Sequence, residues 1–552
     1  MPSRSTSADS RAKPIIWSIA GNDSAGGAGL SADQRAAQAF GVHLCPVVAA
    51  VTAQSSTGVT RVEPVSVDLL DAQLAALADD LPPRVIKTGL LGSAAHVAAV
   101  ARWVDRLRER APVALVVDPV LRSSTGASFA ADEVLQAYVH ELLPRATLAT
   151  PNEAEARRLL AALGQPSASV ESAVATTMPV PSLAQALRST GVGALAITGG
   201  DSTAQGAVAL DWLDTDHARG WLSLPRMDTP HTHGTGCTFA TSAAAALALG
   251  FVPADALVLA KMATAQALRH GYAAGQGAGP VAAMGGFATD PSLMPMLTWG
   301  DRYDIHSDMH GAAGASGQQA WHGDDLGLYA IVDSAERVRE VVSAGVRTVQ
   351  LRIKTPPAPD AAWHAALRAS IEQSLAACAP AGATLVVNDH WRLAAELAPA
   401  HPGSLAVHLG QEDLLALGDS GRAELAVTGL PLGISSHSLW ELARARAWQP
   451  WYVACGPVWP TLTKAMPWAP QGLDNLAWWV HMAGVPVVAI GGILDMAQAT
   501  AAARSGASGV CVVRGLGDAP ARTVPLWQAA LDAGRAAPRL PLPAYPHPSL
   551  VA

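Results

Sequence analysis

The sequence predicts two α/β units joined by a linker, the second of them a (β/α)8 barrel. Three observations carry this reading. The chain has 552 residues, too many for one ordinary core. From residue 14 to about 286, β-rich runs at 14–21, 85–89, 114–119, 147–150 and 194–199 alternate with Ala-rich helical stretches, the pattern of a largely parallel sheet. Beyond residue 326 the alternation restarts with eight apolar runs, at 327–332, 348–353, 384–388, 405–409, 432–435, 452–456, 486–490 and 509–513. Eight strand and helix repeats in so short a stretch fit a compact barrel, a fold of about 250 residues.

Between the units, residues 287–325 lapse into Gly, His, Asp, Ser and Gln and read as a solvated linker. Residues 1–13 read as a disordered tail and 541–552 as a second tail, which assigns 14–286 and 326–540 to the two domains. Half of the residues are hydrophobic, yet no run reaches the roughly 20 apolar residues of a membrane helix, and the Ser-rich start lacks a signal core. A cytoplasmic protein without a membrane partner is expected. Cys45, Cys237, Cys378, Cys455 and Cys511 are odd in number and widely spread, which points to neither a disulfide framework nor a zinc site. The net charge of -8 leaves no basic face for nucleic acid.

Lysine occurs only at positions 13, 87, 261, 354 and 464. A lone loop lysine is ordinarily a solvated charge, and lone acids at helix starts are ordinarily caps. In the second half, however, Arg352, Lys354 and Lys464 and the carboxylates Asp389 and Asp413 all fall at predicted strand ends, where a barrel carries its chemistry. Cations and acids converging there suit a divalent metal clamping a diphosphate.

The segments 350–354 (QLRIK), 387–389 (VND), 408–413 (HLGQED), 433–437 (GISSH), 456–458 (GPV), 461–464 (TLTK) and 489–493 (AIGGI) together resemble thiamine phosphate synthase. The resemblance implies that aminomethylpyrimidine diphosphate loses diphosphate and that thiazole phosphate captures the pyrimidine cation. It assigns Arg352, Lys354 and Lys464 to catalysis, since cations placed for the leaving group favour the transition state. It gives Asp389 and Asp413 to Mg²⁺, Gln350 and Asn388 to diphosphate, and Ser435 to pyrimidine or diphosphate. Thr461, Thr463, Gly491 and Gly492 would receive the thiazole phosphate.

In the first half, two Gly-rich elements stand at 20–29 and 233–237. Neither is a Walker A loop. The second opens a long Ala-rich helix, so its N–H groups suit the oxygens of a transferring phosphoryl group. With Asp118-Pro119-Val120 and Thr150-Pro151-Asn152-Glu153, these loops resemble a ribokinase-like αβα kinase, and most closely hydroxymethylpyrimidine and phosphomethylpyrimidine kinase. The resemblance implies ATP and Mg²⁺, with Asn152 and Glu153 serving Mg-ATP. Gly21, Asp33 and Gln54 would line the pyrimidine pocket, and Gly234 and Gly236 the anion hole. Cys237 would act as base, a helix start being a place that stabilises thiolate. A homo-oligomer through this domain is compatible with the same resemblance. One departure bears on catalysis: the family usually has Lys before its Gly-Gly pair, where this chain has Thr198, and Arg122 is a candidate substitute. A silent pyrimidine-binding or regulatory module and a pyridoxal-type kinase remain open as other readings of this half.

Overall fold

In residues 1–288, which form one of two units, short apolar runs pair into a single sheet. The computed structural model describes residues 12–121, 131–163, 178–200, 206–303, 325–461 and 467–550. The strands are β1 (Ile15–Asp23), β2 (His43–Gln54), β3 (Val59–Pro64), β4 (Val85–Thr88), β5 (Ala114–Val117), β6 (Leu148–Ala149), β7 (Leu195–Thr198), β8 (Val208–Asp214) and β9 (Arg219–Pro225). They lie in the order β9-β8-β7-β6-β5-β4-β1-β2-β3. From β2 across to β7 the pairings are parallel, while β3 and the β8–β9 hairpin join antiparallel. Helices cover the sheet, so its centre is a near-continuous apolar run, as a parallel sheet requires.

A charge interrupts that run. Lys87, in the fully buried β4, has its Nζ 3.1 Å from Asp33 Oδ1 and 3.5 Å from Asp118 Oδ2. Asp33 also accepts from Ser18 Oγ at 2.6 Å and Thr241 Oγ1 at 2.7 Å. Burial pulls the Lys87 ammonium down, but the carboxylates of Asp33 and Asp118 outweigh it and the group stays charged.

In residues 289–551 eight parallel strands close into a barrel: β11 (Gly327–Val332), β12 (Thr348–Leu351), β13 (Thr384–Asn388), β14 (Leu405–Leu409), β15 (Leu432–Ser436), β16 (Tyr452–Cys455), β17 (Val487–Ala489) and β18 (Gly509–Val512). Its interior is filled by Tyr329, Ile331, Val386, Ala406, Tyr452, Ala454, Val488 and Cys511, a packed core and not a pore. Gly433 is required on the inward face, because a Cβ there would stand 2.1 Å from the Tyr452 ring. Among the described residues no helix is long and apolar enough to cross a membrane.

Two expectations need correction. Residues 287–303 are no solvated linker. Phe287 packs at a tilt against Phe40 with centroids 4.7 Å apart in the first unit. In the second, Leu293 and Leu297, the latter in the two-residue strand β10 (Met296–Leu297), are buried, and Trp299 packs on Trp448 beneath the Arg444 guanidinium. Residues 304–324 lie outside the described residues. Nor is 541–550 a free tail, for Pro546 and Ser549 are buried on the barrel.

Removing residues 289–303 strips several apolar side chains from the barrel surface, each worth about 1.5–3 kcal/mol when fully buried. A synthase fragment starting at Asp325 should therefore melt at least ~5 °C below one starting at Thr289. Equal melting temperatures by calorimetry would show that this segment adds nothing.

Candidate active sites

At the carboxyl ends of the first sheet lies a cavity of about 540 Å³, lined by Gly21, Asp23, Gln54, Asp118, Thr150, Asn152, Glu155, Thr198, Asp211, Lys261 and the 232–237 loop. The two Gly-rich loops meet there because Gly27 and Gly234 carry no side chain at the contact. A Cβ on Gly27 would stand 2.1 Å from the His233 ring, and one on Gly234 would stand 2.2 Å from Gly27 O. Gly234 has a left-handed φ of 86° and caps the helix Thr235–Ala248, so its neighbours' N–H groups face the cavity.

Asp23 holds the first loop by accepting from the amides of Ala25, Gly27 and Ala28 at 2.8–3.0 Å. His233 Nε2 lies 3.0 Å from the same carboxylate and 3.2 Å from Gln54 Nε2. Burial alone would raise the Asp23 carboxyl, but the bonds from His233 and the loop amides hold it below its ordinary value. Sequence reasoning missed this pair, since a lone histidine before a glycine carries no signal.

Asp33 does not line the pocket as expected. It is fully buried beneath it and spent on Lys87, Ser18 and Thr241. The expectation for Cys237 also changes: burial pushes its thiol up to about 12, the nearby carboxylates of Asp33 and Asp118 adding to this, while Lys87 and the Gly29 amide oppose it. The helix start does not prevail over lost solvation.

Glu153 turns away from the cavity to pair with Arg157 at 2.6 Å, and Glu155 takes the cavity wall instead. Glu155 Oε1 accepts from Leu121 N at 3.2 Å and Oε2 from Asn152 N at 3.0 Å, while Asn152 Oδ1 accepts from Glu155 N at 2.9 Å. That reciprocal capping gives Asn-x-x-Glu a readable spacing. Among the described residues, Asp118 Oδ2 and Thr150 Oγ1 are buried without a hydrogen bond. With Asn152 and Glu155 they make a wall of carboxylate, hydroxyl and amide groups, which fits hydrated Mg²⁺ carried by a nucleotide.

Beside Thr198 stands the cation that sequence reasoning sought elsewhere. Thr198 pairs in register with Asp211. Lys261, from the helix Pro253–Arg269, donates to Asp211 Oδ2 at 2.7 Å and Ala209 O at 3.0 Å, and Gly199 N donates to Asp211 Oδ1 at 3.1 Å. Among the described residues Lys261 is the only Lys or Arg lining the cavity. Arg122 lies outside the described residues.

In the barrel the charged groups gather at the carboxyl strand ends. Asp389 follows β13 with a left-handed φ of 67°, a conformation unusual for a non-glycine residue. Its carboxyl is raised by burial and by Asp413, against Arg352 and His390. The repulsion that Asp413 adds at Asp389 is what a divalent cation would relieve, so the pair fits Mg²⁺. Asp413 also caps its helix, accepting from Gly410 N at 2.9 Å. Arg352 is half-buried and Lys354 exposed, and His390 Nε2 meets Ile353 O at 3.0 Å, tying their loop to the Asp389 turn. Thr461 is half-buried, whereas Thr463 and Lys464 lie outside the described residues. Gly491 and Gly492 have φ of 91° and 74°, and any Cβ there would strike Pro457 or Trp459.

Beneath the rim runs a buried chain of hydrogen bonds. Gln350 Nε2 donates to Tyr329 Oη at 3.0 Å, Tyr329 meets Tyr452 at 2.7 Å, and His408 meets Tyr452 at 2.9 Å and Ser435 Oγ at 3.0 Å. The Gln350 amide, expected on diphosphate, is thus committed to the barrel interior, while Asn388, buried, ends β13 beside His408. Burial, helped by Arg352, pushes His408 down to about 4, so its ring is neutral.

Comparison with known proteins matches both halves. The phosphomethylpyrimidine kinase family model covers residues 23–282 and the thiamine monophosphate synthase model residues 328–516. The hydroxymethylpyrimidine/phosphomethylpyrimidine kinase of Synechococcus elongatus is 38% identical over 270 residues, 49% of this chain and 97% of that one. The thiamine-phosphate synthase of Rhizobium etli is 48% identical over 167 residues, 30% of this chain and 75% of that one. The probable thiamine biosynthetic bifunctional enzyme, chloroplastic, of Oryza sativa subsp. japonica is 32% identical over 525 residues, 92% of this chain and 86% of that one. The chain therefore belongs to the family of bifunctional thiamine biosynthetic enzymes, with a hydroxymethylpyrimidine/phosphomethylpyrimidine kinase in its first half and a thiamine-phosphate synthase in its second.

Proposed function

We propose that the kinase half phosphorylates hydroxymethylpyrimidine and then its phosphate in the cavity above β1–β7, and that the barrel mouth joins the resulting diphosphate to thiazole phosphate. The observation that carries the reading is the Asp389–Asp413 pair facing Arg352 at the barrel mouth. Acids and cations so close serve a diphosphate arriving with Mg²⁺. When bound, the metal would neutralise the leaving group; Arg352 and Lys354 stabilise the charge that grows on it. The neutral His408 holds Ser435 towards the pyrimidine. Gly491 and Gly492, kept open by the absence of side chains, receive the thiazole phosphate. The free thiols fit a reducing compartment such as cytoplasm.

In the kinase, Gln54 recognises the pyrimidine edge and the amides of Gly234 to Cys237 receive the transferring phosphoryl oxygens. Asp118, Asn152 and Glu155, which line the same cavity, would hold Mg-ATP. A loose phosphoryl-transfer transition state needs positioning and charge compensation more than a strong base. Cys237 accordingly closes the anion hole as a neutral thiol, and Lys261 supplies the cation missing at Thr198.

Supplied with ATP, Mg²⁺, hydroxymethylpyrimidine and thiazole phosphate, the intact chain should release thiamine phosphate. Asp389→Asn should cut that release by about 10²–10³ and accumulate pyrimidine diphosphate. Normal condensation by this variant would refute the placement of the leaving-group site. Lys261→Gln should lower kcat/KM for ATP by about 10², and Thr198→Lys should restore part of the loss; an unchanged KM and kcat would leave Lys261 a purely structural partner of Asp211. Because the Cys237 thiol stays protonated up to about 12, kinase kcat should show no rising thiolate limb between about pH 7 and 9. A limb in that range that vanishes in Cys237→Ser would show the thiolate acting as base after all.

A further inference from the structure

The last described residues of the chain fold back onto the segment 469–475, where the chain re-enters the barrel after the loop following β16. Ala469 N donates to Ser549 O at 2.8 Å. Asn475 and His547 bond reciprocally, His547 N to Asn475 Oδ1 at 2.8 Å and Asn475 Nδ2 to His547 O at 3.1 Å. The His547 ring meets Gln471 O through Nε2 at 2.8 Å, and Ser549 Oγ donates to Gln471 Oε1 at 3.4 Å. Gln471 and Asn475 are wholly buried, so these contacts satisfy polar groups that water does not reach.

Gln471 passes the constraint on to the rim. Its N donates to Pro457 O at 2.7 Å and its Nε2 to His437 O at 2.8 Å, while Gly472 N donates to Val458 O at 3.0 Å. Val458 N and Trp459 N in turn donate to Ile490 O and Gly491 O, and Trp468 stacks on His437 at 5.2 Å. One buried glutamine thus couples the C-terminal segment to the turn after β15, the strand that bears Ser435, and to the loop that seats Gly491 and Gly492. Prolines at 541, 543, 546 and 548 limit the freedom this segment loses when it docks.

We propose that residues 546–549 are a strap whose His547, through Gln471 and Asn475, acts as a positioning residue for the thiazole phosphate side of the synthase site. The assignment of that side rests on the reading of Gly491 and Gly492 given above. The test uses the full chain, a chain ending at Leu542, and the point variants His547→Ala and His547→Gln. Truncation and His547→Ala should speed amide hydrogen exchange at Val458 and Trp459 and raise KM for thiazole phosphate about tenfold, the equivalent of one lost hydrogen bond. KM for pyrimidine diphosphate and the kinase rate should stay unchanged, and His547→Gln, which keeps a donor towards Gln471 O, should recover most of the effect. Unaltered exchange in the truncated chain would overturn the strap. Faster exchange with an unmoved KM for thiazole phosphate would keep the strap and overturn the assignment of Gly491 and Gly492 on which its role rests.

Discussion

Parallel strands buried on both faces constrain everything else in this protein. Such a sheet has no wet face, so a polar side chain on it must stand at a strand's carboxyl end or find a partner inside. Both units obey. The kinase cavity opens where β1, β2, β5, β6 and β7 end, and the groups proposed for the synthase stand at or shortly after the carboxyl ends of β12, β13, β14 and β15. Two unrelated chemistries thus share one architectural answer.

The exceptions inside the sheets are paired or neutral. Lys87 lies below the kinase cavity and is tolerated because Asp33 and Asp118 surround it. Removing one member of such a cluster would leave a buried charge uncompensated, a loss of about 3–5 kcal/mol. The arrangement also explains Cys237. Burial disfavours its thiolate most, and its surroundings already carry two carboxylates for one ammonium, so the thiol remains protonated. In the barrel the interior chain from Gln350 to Ser435 contains no charge, and His408 is kept neutral by its burial. Burial together with local charge compensation, and not the helix start alone, sets the state of each group.

Glycine supplies the complementary device. Gly27 and Gly234 let two loops cross at backbone distance, Gly433 vacates space for the Tyr452 ring, and Gly491 and Gly492 let the 457–459 loop lie against the rim. Each site is shaped as much by absent Cβ atoms as by the side chains that act in it.

The order of the barrel strands was legible in the sequence because each is a short apolar run bounded by turn residues, and all eight runs recur as β11–β18. In the first unit β1, β4, β5, β6 and β7 were legible for the same reason. By contrast β2, β3 and the β8–β9 hairpin were passed over, since β3 alternates half-buried with exposed residues and blends with its surroundings. The motif loops were also readable: Gly21, Gln54, Asn152 and Gly234 line the cavity of the first unit, and Arg352 and Asp389 follow the strands β12 and β13. What tertiary structure alone decided is which side chain of a motif turns inward. Asp33 sinks to Lys87, Glu153 turns out to Arg157 while Glu155 turns in, and Lys261 arrives from a helix 63 residues away in sequence from Thr198. Residues 287–325 read as a solvated linker and 541–552 as a tail, yet residues of 287–303 and 546–549 pack on surfaces that exist only after folding. Sequence pattern reports local period and turn chemistry; pairing of charges and docking of irregular segments depend on distances that only the folded chain creates.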